Sequence, residues 1–301
     1  MSLNTKIEWC DSTVNPVMGC GGCELWSKDQ RKCYAGILHQ RFGGATKGYA
    51  PSFEQVTKFP GRMSEAARAK DLSGLKRSEK PWLNGLPRIY FISDMGDALS
   101  SQIDFQYLEN EIISNVCSTG GQRHVWLWLT KRPERMAAFS IHLSQKGVSW
   151  PLNLCPGTSI TGQSTISRIA SLEQVGGIES QRFLSIEPQL EPLKVIDRLK
   201  SISWVIHGGE SGNGARPFDL DWARQLKDTC SDAGVPYFLK QLGSNPILAG
   251  RPVDLISGHG NDWNEWPADL RVRETPFEAE LDIFERLEIP GRASDASCIS
   301  E

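Results

Sequence analysis

Arg88-Ile89-Tyr90-Phe91-Ile92-Ser93-Asp94 is an apolar run of β-forming residues that stops on a polar pair. A run without polar alternation reads as a strand buried on both faces, the mark of a parallel sheet covered by helices. The pattern recurs. His124-Val125-Trp126-Leu127-Trp128-Leu129 ends in Thr130-Lys131-Arg132, and Asn153 to Ile160 carries Pro156. Arg182-Phe183-Leu184-Ser185-Ile186 ends in Glu187-Pro188, and Tyr237-Phe238-Leu239 ends in Lys240-Gln241. Trp204-Val205-Ile206 runs into His207-Gly208-Gly209-Glu210-Ser211-Gly212. Between these runs the spacing predicts helices. Phe105, Leu108, Ile112 and Val116 make one apolar face, Pro133 and Glu134 suit a first turn, and Ser164 to Val175 continues the rhythm. Asp219 or Asp221 caps a helix that buries Trp222, Leu226 and Cys230 and stops at Gly234.

Strands alternating with helices predict an α/β fold, a TIM-like (β/α) barrel, partial or full. Asp94, Lys131, Glu187, Glu210 and Lys240 fall at the C-terminal ends of successive strands, where a barrel builds its site. A doubly wound sheet would concentrate such residues near one switch point. Their spread along the chain therefore favours the barrel. The barrel is assigned to residues 1–244, with a cysteine loop at its N-terminal end. Residues 245–301, polar and poor in strand signals, read as a C-terminal lid or tail.

The chain has 301 residues, 39% hydrophobic and 23% charged, with a net charge of −3, all ordinary for a globular protein. That charge gives no overall footprint for indiscriminate nucleic-acid binding. Met1-Ser2-Leu3-Asn4-Thr5-Lys6 carries no apolar signal region, and no apolar run reaches the length of a membrane helix. The expectation is a cytoplasmic protein without a membrane partner. There, eight cysteines are expected as thiols or metal ligands rather than as a disulfide framework.

Three of the cysteines stand together in Cys20-Gly21-Gly22-Cys23 and Cys33-Tyr34-Ala35. Asn15-Pro16, Gly19, Gly21 and Gly22 make this stretch a tight loop able to converge thiolates on a metal centre. Three readings stay open: a [4Fe–4S] cluster with one iron free, a Zn2+ completed by Cys10, Asp11 or His39, and unliganded thiols. Cys117, Cys155 and Cys230 read as core residues, and Cys298 as incidental to the tail. The five histidines lack metal-ligand spacing, and His207 stands out only by adjoining the glycine-rich turn.

The motifs together resemble a known family, the phage-associated three-cysteine-motif proteins. The resemblance rests on Lys6-Ile7-Glu8-Trp9, Asn15-Pro16, Gly19-Cys20, Cys33-Tyr34-Ala35 and Ser93-Asp94-Met95-Gly96-Asp97. It continues through Leu129-Thr130-Lys131-Arg132-Pro133-Glu134-Arg135, Leu184-Ser185-Ile186-Glu187-Pro188, Trp204 to Gly212, Ala215-Arg216-Pro217, Phe238-Leu239-Lys240-Gln241 and Leu270-Arg271-Val272-Arg273. That family is distantly similar to radical S-adenosylmethionine (SAM) enzymes, among them the lyase that splits spore photoproduct in DNA. Two features depart from the pattern. The close cysteine pair comes first, with nine residues between Cys23 and Cys33, and Cys10 stands where relatives tend to carry Thr.

The resemblance implies a [4Fe–4S] cluster on Cys20, Cys23 and Cys33 whose fourth iron binds the amino and carboxylate groups of SAM. In such enzymes the reduced cluster cleaves SAM to a radical that abstracts a substrate hydrogen. By this analogy Gly208, Gly209, Glu210 and Ser211 are candidates to bind SAM, and Asp94, Lys131, Glu187 and Lys240 to line a substrate pocket. A nucleotide or DNA base is the implied substrate, and an electron donor such as flavodoxin or ferredoxin the implied partner. The alternative expectation is a zinc-stapled barrel that binds nucleic acid or protein without catalysis. A zinc hydrolase fits less well, because no histidine or carboxylate accompanies the cysteines at such a spacing.

Overall fold

The computed structural model of the chain describes residues 2–44, 46–194 and 198–277. Seven strands form one parallel sheet: β1 (Ser12–Val14), β2 (Arg88–Ile92), β3 (His124–Thr130), β4 (Leu154–Ser159), β5 (Phe183–Ile186), β6 (Trp204–Gly208) and β7 (Tyr237–Gln241). Their order in the sheet is their order in the chain, and every pairing is parallel. A doubly wound sheet reverses its order at a switch point. An unreversed order is that of a barrel wall, and here the sheet curls into a half-barrel. The principal helices are α1 (Tyr34–Phe42), α2 (Pro133–Gln145) and α3 (Leu220–Asp232). Pro133 opens α2, and the Asp219 carboxylate caps α3 by accepting from the Asp221 amide.

The alternation of strand side chains divides the core in two. Tyr90, Ile92, Trp126, Trp128 and Leu184 face the helices. Ile89, Phe91, Leu127, Phe183, Trp204 and Phe238 face the concave side. Trp9, 2% exposed, fills that concave side. Its ring centroid lies 4.6 Å from that of Phe91, 6.4 Å from Phe183 and 6.5 Å from Trp204, so one side chain touches β2, β5 and β6. Lys80 fixes the turn that carries it, donating from Nζ to the carbonyls of Thr5, Ile7 and Cys10 at 2.8, 2.7 and 2.6 Å. Trp82 Nε1 donates to the Glu8 carbonyl at 2.8 Å.

The described part of the stretch expected as a lid, residues 245–277, packs along the sheet. Pro246–Leu248 pairs in parallel with Phe218–Asp219, and Trp266 and Leu270 enter the helix-side core. Val272 and Glu274 hydrogen-bond to β7. Residues 278–301, with Cys298, lie outside the described residues. No described helix is long and apolar enough to cross a membrane.

His207 is no rim residue. It lies on the helix side of β6, fully buried, with Nδ1 2.7 Å from Tyr237 Oη and Nε2 2.6 Å from Gln189 Oε1. Burial pushes its imidazole down to about 3, and His124, buried at the start of β3, down to about 4.

Two predictions follow from this core. Trp9→Ala removes a side chain that spans the concave side and should cost about 3–5 kcal/mol in urea unfolding. The two buried histidines set a pH dependence. Their folded values lie below the ordinary 6.5, so the unfolded chain binds more protons as pH falls through that value, and stability falls with it. From about pH 6.5 to about pH 5 the loss should approach ~1.4 kcal/mol per pH unit for each imidazole. A urea midpoint that stays level over that interval would contradict their burial as neutral rings.

Candidate functional site

The cysteine loop lies over the C-terminal rim of the half-barrel. It carries a small core of its own, Met18, Trp26, Ala35, Ala50, Phe53 and Met95, against which the three cysteines pack. Gly19 has φ +87°, and a Cβ there would meet the Gln55 carbonyl at 2.5 Å, so the loop's entry admits no side chain. Cys20 N donates to the Phe53 carbonyl at 2.6 Å, and Cys23 and Trp26 exchange two backbone hydrogen bonds of 2.9 and 3.0 Å. Cys33 is the N-cap of α1.

Cys20, Cys23 and Cys33 all line one cavity of about 90 Å³, together with Ser93, Asp94 and Lys131. All three are free thiols. Burial pushes the Cys20 thiol up, against the pull of Arg132. Burial raises Cys33 as well, opposed by the first-turn amides of α1 and by Lys131. No group of three His, Cys, Asp or Glu side chains among the described residues converges tightly enough to hold a single metal ion. The candidate fourth zinc ligands are engaged elsewhere and do not line this cavity. Cys10 is fully buried in the concave core, Asp11 pairs with Arg77 at 2.7 Å, and His39 Nε2 lies 2.8 Å from the Ala50 carbonyl.

Arg132 ties the loop to the barrel. Its Nη1 donates to Asp97 Oδ2 at 2.7 Å and its Nη2 to the Gly22 carbonyl at 3.0 Å, and both nitrogens lie 3.8 Å from Cys20 Sγ. Asp97, 5% exposed, also accepts from Thr130 Oγ1 and from the Lys131 amide. Two further tethers hold the loop. Arg168 and Glu24 pair at 2.8 Å, and Lys32 Nζ donates to the Gly214 carbonyl at 2.9 Å. The Arg168 hydrogen bond and Lys131, acting against the cost of burial, hold the Glu24 carboxyl down at about 2.

A second cavity, about 290 Å³, adjoins the first, and Cys33, Tyr34, Phe91, Leu129, Lys131 and Ser159 line both. Glu187, Gly209, Glu210, Ser211 and Lys240 line the larger one. Lys240 Nζ donates to Glu187 Oε1 at 2.5 Å. Burial pulls the Lys240 amine down, yet Glu187 and Glu8 outweigh it and hold it above its ordinary value. Burial raises the Glu8 carboxyl in turn. Glu210 is gripped by Arg216, Nε to Oε2 at 2.9 Å and Nη2 to Oε1 at 2.7 Å. Despite the cost of burial, these bonds keep its carboxyl below the usual range.

Of the residues expected from sequence, Lys131, Glu187, Gly209, Glu210, Ser211 and Lys240 share the larger cavity. Asp94 stands in the smaller one, its carboxyl raised by burial and its Oδ1 accepting from Asn15 Nδ2 at 2.5 Å. Gly208 lines neither and packs against the Gln241 backbone. Asp97, Arg216 and Tyr34 stand in the sequence motifs with no role assigned, and Glu24 stands in none. Ser93 likewise gains its interest only from the structure. It has φ +74°, unusual for a residue with a Cβ, and its Oγ is buried without a partner among the described residues.

The family described as Protein of unknown function (DUF5131) matches the chain over residues 4–267, and the chain belongs to that family. Neither the curated proteins nor the solved structures yielded a match.

Arg132→Met should release the cysteine loop without unfolding the barrel. The lost pairing with a buried carboxylate should cost about 2–3 kcal/mol, below the full value for a buried pair because Arg132 is partly exposed. Amide exchange in residues 19–24 should quicken at least about tenfold while α2 stays protected. Equal exchange in variant and parent would remove Arg132 as the tether.

Proposed function

We propose that the chain is a radical-SAM-like iron–sulfur enzyme whose cluster sits on Cys20, Cys23 and Cys33. One observation carries this reading: three thiols of one loop wall a single cavity, and that cavity adjoins the polar rim of a curled parallel sheet. The donor set suits a cluster. A lone zinc needs its ligands within about 2.3 Å of one point. A cluster offers a separate iron to each thiolate, so three cysteines lining one cavity are a donor set that suits it. Ser93 Oγ, buried and unpartnered at the same wall, is a polar atom left for a bound group to meet.

Cys20, Cys23 and Cys33 would hold a [4Fe–4S] cluster, which would supply one-electron reducing chemistry toward SAM. The chain's own residues do the rest. Arg132 fixes the loop and places positive charge beside Cys20, and the α1 N-terminus does the same for Cys33. Gly209, Glu210 and Ser211 offer backbone and carboxylate acceptors for an ammonium group, with Arg216 keeping Glu210 ionised. Trp9, Phe91 and Leu129 keep water from the inner wall of the larger cavity. A nucleotide or DNA base as substrate, a phage setting and a flavodoxin or ferredoxin as electron donor belong to this reading through the family resemblance alone.

The test is anaerobic purification, reconstitution with iron and sulfide, and EPR of the reduced protein with and without SAM. A [4Fe–4S]⁺ signal that shifts on adding SAM, and is lost in Cys20→Ala, is the expected result. A colourless zinc protein with no such signal would sink the proposal and leave the zinc-stapled binding protein in its place.

A further inference from the structure

The larger cavity exists because one side of the rim is built from small residues. Ser159 on β4 and Ser185 on β5 are in register, and Gly209 follows on β6, whereas Phe91 and Leu129 stand opposite. Both serines are 3% exposed, and neither hydroxyl has a partner among the described residues. Their hydrogen-bonding capacity is left for whatever enters.

The charges of this cavity do not balance. Glu187 is met by Lys240 and by Gln241 Nε2, and Glu210 by Arg216. Lys32 donates to the Gly214 carbonyl. Arg132, beside Lys131 in sequence, is taken by Asp97 and the cysteine loop. Lys131 is half-buried and lines both cavities; its backbone amide donates to Asp97, but its ammonium makes no hydrogen bond or ion pair among the described residues. Glu24 lies in the field of that ammonium but is itself paired with Arg168 at 2.8 Å, so Lys131 has no counter-charge in contact, and an anion arriving beside it in a half-buried wall gains more than it would in open solvent.

We propose that the larger cavity binds a small organic oxyanion, a carboxylate or a phosphate, with its charge on Lys131 and further oxygens met by Ser159 and Ser185. Its body is apolar or planar, because Trp9, Phe91, Leu129 and the ring of Tyr34 line the cavity beside Lys131, while Glu187 and Glu210 on the same wall are already met by Lys240 and Arg216. Tyr34 Oη donates to the Asp94 carbonyl at 2.5 Å, which holds that ring in place at the junction of the two cavities. The inference deepens the enzyme reading by naming the chemical class its cavity admits, and its test needs no cluster. A negative result here therefore leaves the EPR question untouched.

The full-length chain, as purified and without added iron, is titrated calorimetrically with two matched pairs: adenosine 5′-monophosphate against adenosine, and benzoate against benzamide. The anionic member of at least one pair should bind about tenfold tighter or better than its neutral twin. A preference confined to the nucleotide pair identifies a phosphate, and one confined to benzoate identifies a carboxylate. Lys131→Met should bring the anion down to the affinity of the neutral compound and leave the neutral one unchanged. Ser185→Leu should fill the floor of the cavity and abolish both. Equal binding within both pairs, or an anion preference that survives Lys131→Met, overturns the proposal.

Discussion

The guanidinium of Arg132 ties the cysteine loop to the barrel arc. The barrel arc has its own core on both faces of the sheet, and the cysteine loop has a separate one around Trp26 and Phe53. Between them, a planar fork reaches Asp97 on one side and Gly22 and Cys20 on the other. Lysine has one nitrogen and could not span both. The Glu24–Arg168 pair and the Lys32–Gly214 contact add tethers beyond β4 and beyond β6. With the Tyr34 hydroxyl on the Asp94 carbonyl and the Gly19 backbone bonds to Met95 and Asp97, these attachments are spread around the rim and fix the loop's plane, and with it the positions of the three thiols.

The same logic of shared partners governs the charges beneath the loop. The Lys240 ammonium answers Glu187 by a direct bond and lies in the field of Glu8, while Arg216 takes both oxygens of Glu210. Such groups would be costly if left unpaired in a half-buried wall. Paired, they are rigid, which is what a binding surface requires. The rim carboxylates Glu187, Glu210 and Glu24 are thus each met by a cation in direct contact, whereas the Lys131 ammonium has no direct partner among the described residues.

Much of this was legible in the chain. Strands such as Arg88–Ile92 and His124–Thr130 announce themselves because both their faces are buried, which makes the run continuously apolar. Their polar ends then fall on the rim, and Lys131, Glu187 and Lys240 line one cavity. Strand β1 gave no such signal. It has three residues, two of them hydroxylic, and its pairing with β2 depends on residues far along the chain. Arg132 shows the other limit. It adjoins Lys131 at a strand end, but successive residues there diverge, and only the long-range partner Asp97 reveals its structural duty. Asp97 and Arg216 stood in the resemblance motifs without a role, and Glu24 stood in none, since their meaning lies in contacts that spacing does not encode.

A curled sheet that stops short of closure has two edges, and both are covered by the chain itself. Ser2 and Thr13 exchange two backbone hydrogen bonds on the outer side of β1. On β7, Leu239 N donates to the Val272 carbonyl and Glu274 N to the Tyr237 carbonyl, so residues 272–274 lie where a further strand would. Arg273 is the pivot of that cover. Its guanidinium lies 4.2 Å from the Trp82 ring centroid, 5.1 Å from Trp266 and 5.2 Å from Trp263, and it donates to the carbonyls of Leu239 and Lys240. Lys240 is therefore held twice, at its carbonyl by Arg273 and at its ammonium by Glu187. The segment that shields the edge from foreign strands also positions a side chain of the rim. Closing the barrel is then unnecessary for the site, because the support that a next strand would give Lys240 is already supplied from outside.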